Sequence, residues 1–283
     1  MRFDVVAVCV SGALVSGVFA LGCDPLPLPE DEDEFVPVFT VPDCRPDNDG
    51  VIDRDELPFV VGAEARVRVG QNVTVDVDGE VIDGVRTWDL TRPDPKDDPV
   101  GRFSIEAMAP QWFAGEFPQD AIATPLVPGG AQLGPVIVDD DGVHLLGFAS
   151  KDEAPAVGQT IAVYADDVVL YPFPLREGAR VTSVTRADPS RLLGIVSPIE
   201  DAYDVEVTAR GTLILADVVL DNTLRVTVRF SRKLIGAEVH QVSHHFVHEC
   251  LGEVARFSSA IEDVSVDIPD DFAVAQEVWR LTL

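Results

Sequence analysis

Positive charge is what this chain has least of. Its 283 residues carry 49 Asp and Glu against 21 Lys and Arg, a formal net charge of −28. A surface of that sign repels a polyanion, so nucleic acid is excluded as a partner and cations are the natural counterparts. Helical signatures are missing as well. No stretch of a dozen residues shows an apolar stripe of period 3.6 with caps, and 21 prolines are spread along the chain, which argues against a helical body. Catalytic signatures are also absent. After residue 22 there is no Gly-x-Ser-x-Gly elbow, no phosphate-binding glycine loop and no His-Glu-x-x-His order. Carboxylates are too abundant for any one pair to stand out. The expectation is a protein that is not an enzyme.

What is present is a period of two. Ala65, Val67 and Val69 alternate with Glu64, Arg66 and Arg68, and Val73, Val75 and Val77 with Asn72, Thr74 and Asp76. The pattern returns at Tyr203, Val205 and Val207, and again at Leu224, Val226, Val228 and Phe230. These are half-buried strands, and Asp78-Gly79, Asp83-Gly84, Asp141-Gly142 and Asp221-Asn222 are hairpin-type dipeptides between them. With 46% hydrophobic residues the chain can fill a core. The fold class expected is mainly β, with antiparallel sheet in a half-barrel or β-sandwich and few or no long helices. A β-rich region is expected at 61–158, followed by a more regular β domain at 159–283.

The N-terminus reads as an export signal. Arg2 precedes the apolar run VVAVCVSGALVSGVFALG from Val5 to Gly22, which stops at Cys23. Ala20-Leu21-Gly22-Cys23 resembles the lipobox of bacterial lipoproteins, with Ala20 and Leu21 exchanged relative to the usual order. That resemblance implies a signal peptide at 1–22, lipidation of Cys23, and residence in the cell envelope, outside the cytoplasm, anchored to a bacterial membrane by the N-terminal lipid. Residues 23–37, rich in proline and acid, then form an extended, solvated tether. Cys9 leaves with the signal and Cys23 takes the lipid, so Cys44 and Cys250 remain. In an oxidising compartment the expected outcome is a Cys44–Cys250 disulfide.

Residues 38–60 hold the most specific chemistry, the stretch RPDNDGVIDRDE from Arg45 to Glu56. It resembles an EF-hand calcium loop. Placing Gly50 at the sixth position puts Asp47 at the third, Asp49 at the fifth, the Val51 carbonyl at the seventh, Asp53 at the ninth and Glu56 at the twelfth. The resemblance implies calcium as the cofactor, bound by Asp47, Asp49, Val51, Asp53 and Glu56. Arg45 stands where the family has its first aspartate. Prolines in FVPVFTVP, Phe35 to Pro42, rule out the entering helix.

Four of the five histidines fall in HQVSHHFVHEC, Cys250 included. On a strand, His240, His244 and His248 share a face with Val242 and Phe246, while His245 and Glu249 face the other way. Residues four apart on a strand lie about 13–14 Å apart, too far to share a metal. A zinc or copper site at His240, His244, His245 and His248 therefore requires another conformation. The order Tyr171-Pro-Phe-Pro-Leu175, Gly211-Thr-Leu213, Leu224-Arg-Val226 and Gly252-Glu-Val254 resembles half-barrel domains of lipoprotein-carrier type. That resemblance implies a concave face able to hold an apolar ligand. The leading functional expectation is a non-enzymatic, lipid-anchored envelope protein with a structural calcium-type loop. A carrier of a hydrophobic ligand, or a metal-dependent enzyme built on the histidines, are the alternatives, and a protein partner is not specified.

Overall fold

The computed structural model describes residues 44–91, 100–127 and 130–282. The expected signal peptide at 1–22, the expected lipidation site Cys23 and the expected tether at 23–37 lie outside the described residues. The chain runs as β1 (Val51–Ile52), a 3-10 turn (Arg54–Glu56), β2 (Glu64–Thr74), β3 (Glu80–Ile82), β4 (Val85–Asp89), β5 (Val100–Ser104), β6 (Glu106–Ala107), a second 3-10 turn (Ala114–Glu116), β7 (Ile122–Pro125), β8 (Gln132–Val138), β9 (Gly142–Ser150), β10 (Ile161–Pro172), β11 (Leu175–Arg176), β12 (Arg180–Leu192), β13 (Ile195–Ile214), β14 (Val219–Leu234), β15 (Ala237–His248), β16 (Gly252–Ser258), β17 (Glu262–Asp263) and β18 (Val274–Thr282).

One sheet dominates, in the order β5-β2-β18-β16-β15-β14-β13-β12-β10-β9-β8-β7-β6. Its two ends are formed by neighbouring segments of the chain, since only Ile105 separates β5 from β6. Glu64 pairs with Ser104 on one side and Glu106 with Ala123 on the other. Ile105 itself exchanges backbone hydrogen bonds with the chain before β2, donating to Ala63 and accepting from Gly62, both at 2.9 Å. The sheet is thus nearly closed into a barrel, and the seam is a single strand shared by both edges. Of the two architectures expected, the sheet takes the barrel-like one. Strands β9 and β10, which flank residue 158, are antiparallel neighbours, so one sheet continues through both expected regions.

Alternation explains how one sheet builds two cores. Val205, Val207, Leu224, Val226 and Val228 join Phe148, Tyr164, Tyr171 and Leu175 in one cluster. Val242 and Phe246 of β15 join Trp88, Phe257 and Phe272 in a second. The registers agree with opposite faces, because Val226 lies opposite His245 whereas Thr227 lies opposite His244. The irregular stretch between β6 and β7 forms a smaller cluster around Met108, Phe113 and Phe117. Ile52, fully buried, and Leu57, 5% exposed, belong to the first cluster. The segment after Cys44 is therefore part of the barrel's own core.

Candidate metal centre

The 44–57 segment is fixed to the barrel at several points. Val51 and Ile52 pair with Arg176 and Leu175, making a short second sheet. Cys44 is bridged to Cys250, with Cα atoms 5.6 Å apart. The Cys250 N–H donates to the Glu56 carbonyl at 2.7 Å. Asn222 donates its side-chain amide to the Asn48 carbonyl at 3.2 Å, and Arg210 donates to the Asp49 carbonyl at 3.3 Å. Arg54 reaches Asp140 of the β8–β9 turn at 2.8 Å.

Within the loop, aspartates organise the backbone. The Asp47 carboxylate accepts the Asp49 N–H at 3.0 Å, and the Asp49 carboxylate accepts the Val51 N–H at 2.7 Å. These are two successive Asx turns. They are possible because Asn48 and Gly50 take positive φ, 60° and 82°. A Cβ at position 50 would also run into the Arg210 guanidinium.

The acidic groups gather differently from the EF-hand numbering. Asp47 and Asp49 are brought together with Glu249, and one ligand atom from each lies within 4.8 Å of the others. Glu249 is 2% exposed. One of its carboxylate oxygens accepts the Asn48 N–H at 2.9 Å. The other, Oε1, is buried and has no hydrogen-bond partner. Asp53 and Glu56 are not in this group. Glu56 instead accepts the Asp53 N–H at 2.9 Å and closes the 3-10 turn. Burial holds the Glu56 carboxyl above its ordinary range against that hydrogen bond, and the negative charges of Glu249, Asp47 and Asp53 add to the rise. Val51 is engaged in the pairing with Arg176, and Arg45 is exposed. Glu249 is the residue that reading the loop alone missed. Its only signal in the sequence is its place beside Cys250.

The four clustered histidines do not converge. His240 bonds the Val266 carbonyl at 2.7 Å, and His244 bonds Thr227 at 3.0 Å and the Asp270 carbonyl at 2.7 Å. His245 lies between Tyr171 at 2.9 Å and Ser243 at 3.0 Å, and His248 meets the Glu249 carbonyl at 2.6 Å. Burial pushes His244 down to about 4, and burial together with the Arg256 charge lowers His245, so both are neutral near pH 7. These are strand residues with separate partners. Next to His245, an apolar pocket of about 100 Å³ is lined by Phe59, Ala65, Phe103, Leu126 and Leu170.

The fifth histidine gives the docked face a pH dependence. His144, on β9, bonds Asp167 through Nδ1 and Asp139 through Nε2, the latter at 3.1 Å. Burial opposes its charge, but the two carboxylates outweigh burial and raise its pKa. A raised folded-state pKa contributes stability that is fully present below the unfolded value of about 6.5 and is lost as pH rises through the folded value. The stability that His144 contributes is therefore expected to fade as pH rises above about 6.5; because the lowered values of His244 and His245 act in the opposite sense, it is read as the difference in melting temperature between the wild type and His144→Gln. Calorimetric scans of both proteins across neutral pH check it, and a difference that does not shrink with rising pH would assign the effect elsewhere.

Comparisons with protein-family models, with curated proteins and with solved structures find no match to this chain.

Proposed function

We propose that this is a non-enzymatic, lipid-anchored protein of the bacterial cell envelope, in which the 44–57 loop is a calcium-dependent joint between the tether and the barrel. The lipobox-like Ala20–Cys23 supports the anchor, and the acidic run after it supports a solvated tether. The observation that carries the reading is how the loop is seated. Its apolar residues Ile52 and Leu57 enter the barrel core and its cysteine is bridged to Cys250, while Asp47 and Asp49 stay exposed side by side. Calcium would offset the repulsion among these carboxylates and stiffen the loop, a structural and not a chemical task.

Extracellular calcium reaches millimolar levels, so even a site of about 10⁻⁴ M affinity would be filled. At that affinity, 1 mM calcium adds about 1.4 kcal/mol of stability. For a domain of this size that is a rise of about 3–5 °C in melting temperature. Scanning calorimetry of the full chain in calcium against chelator measures it, and superimposable transitions would end the calcium reading.

A further inference from the structure

Glu249 lies in the turn after β15, 201 positions from Asn48, yet its carboxylate sits among the loop's aspartates. We propose that Glu249 is the third carboxylate ligand of a calcium ion held by Asp47 and Asp49, so that the site is complete only when the loop is docked. The proposal rests on the calcium reading of the loop and names the donor that the loop does not contain.

Two observations support it independently. The first is geometric. Oxygens bound to one calcium at about 2.3–2.6 Å can lie no more than about 5 Å apart, and the three ligand atoms lie within 4.8 Å of one another. The second is the unpartnered oxygen. Among the described residues no basic side chain pairs with Glu249, and its Oε1 accepts nothing. An ionised carboxylate in that position is costly without a countercharge. A cation between Glu249 and the two aspartates satisfies the orphaned oxygen and the charge together.

The surroundings hold Glu249 in place for this role. Its Oε2 accepts the Asn48 N–H, and the next residue, Cys250, is bridged to Cys44. Asp47 and Asp49 each spend one oxygen on a backbone N–H, and among the described residues the other oxygen accepts no hydrogen bond. An all-oxygen set of three carboxylates suits a hard divalent cation. The exposed aspartates leave room for the waters that would complete the oxygen shell of calcium.

Titration calorimetry of the full chain with calcium chloride tests this, alongside melting temperatures in chelator. The wild type is expected to bind one calcium, Glu249→Gln and Asp47→Asn to bind at least tenfold more weakly, and Asp53→Asn to stay within about twofold. In chelator, Glu249→Gln is expected to melt at or above the wild type, because a buried unpaired charge is gone, and to show no rise with calcium. If the wild type binds and Asp47→Asn does not, but Glu249→Gln binds normally, the loop reading survives and Glu249 is not a ligand. If Glu249→Gln melts lower than the wild type in chelator by as much as in calcium, the carboxylate is merely structural and the proposal is overturned. A wild type that takes up no calcium at millimolar concentration removes the loop reading and this proposal with it.

Discussion

Asp201→Ala is expected to lower the stability of this protein by roughly 3–5 kcal/mol, the cost of leaving a buried charge without its partner. Asp201 on β13 is fully buried, and it lies directly across from Arg232 on β14. The guanidinium grips both carboxylate oxygens, Nε to Oδ1 and Nη2 to Oδ2, each at 2.7 Å. Tyr164 donates its hydroxyl to Oδ2 at 2.6 Å, and the Tyr203 hydroxyl stands 3.2 Å from that of Tyr164. Arg232 also lies over the rings of Phe148 and Phe230, at 4.5 and 5.2 Å. Burial and the Asp201 charge push Tyr203 up to about 12, so both the phenol and the guanidinium keep their protons at any ordinary pH. Removing Asp201 leaves Arg232, whose side chain is 19% exposed, among aromatic rings without its carboxylate partner. Urea unfolding of Asp201→Ala, of Arg232→Met and of the double variant separates the causes. The double variant is expected to be more stable than Asp201→Ala, since apolar groups replace both charges. A loss below about 1 kcal/mol in Asp201→Ala would mean that water reaches the arginine and that this network carries little of the fold.

The strands on either side of that network were legible from the sequence, because half-buried antiparallel strands write their faces into alternate residues. Val205 and Val207, and Leu224, Val226 and Val228, all fall in one core cluster as their spacing requires. The histidine run behaved in the same way, with His244 and His245 bonded on opposite faces of β15. Closure of the barrel was not legible. It depends on Val100–Ala107 serving both edges of the sheet, and nothing local to those residues distinguishes an edge strand from a seam. The candidate metal centre was legible by halves. Composition and the glycine position exposed Asp47 and Asp49, but a motif assumes that all its ligands are local. Glu56 was claimed by a turn that the motif does not describe, and Glu249 enters through a contact across 201 positions. The one long-range clue was the cysteine pair, since bridging Cys44 to Cys250 necessarily carries Glu249 towards Asp47.

Breaking that bridge is expected to have the largest effect of all. Cys44 and Cys250 are 206 positions apart, and closing a loop of that length restricts the unfolded chain by about 5 kcal/mol in the entropic account. The Cα separation of 5.6 Å is the usual one for a disulfide. Cys44→Ser with Cys250→Ser, or reduction by a dithiol, is therefore expected to lower the unfolding free energy by most of this amount. The loss should appear in two stages. What still holds the loop is the β1–β11 pairing, the burial of Ile52 and Leu57, and single hydrogen bonds from Cys250, Asn222 and Arg210. Strands β13 and β14 are held by long ladders on both sides. Hydrogen exchange in the unbridged protein is expected to show residues 44–57 opening locally, well below the denaturant concentration at which β13 and β14 open. Identical urea midpoints for bridged and unbridged protein would contradict the entropic argument. Simultaneous opening of loop and barrel would instead make the loop an integral part of the core, held by Ile52 and Leu57 more firmly than by the disulfide.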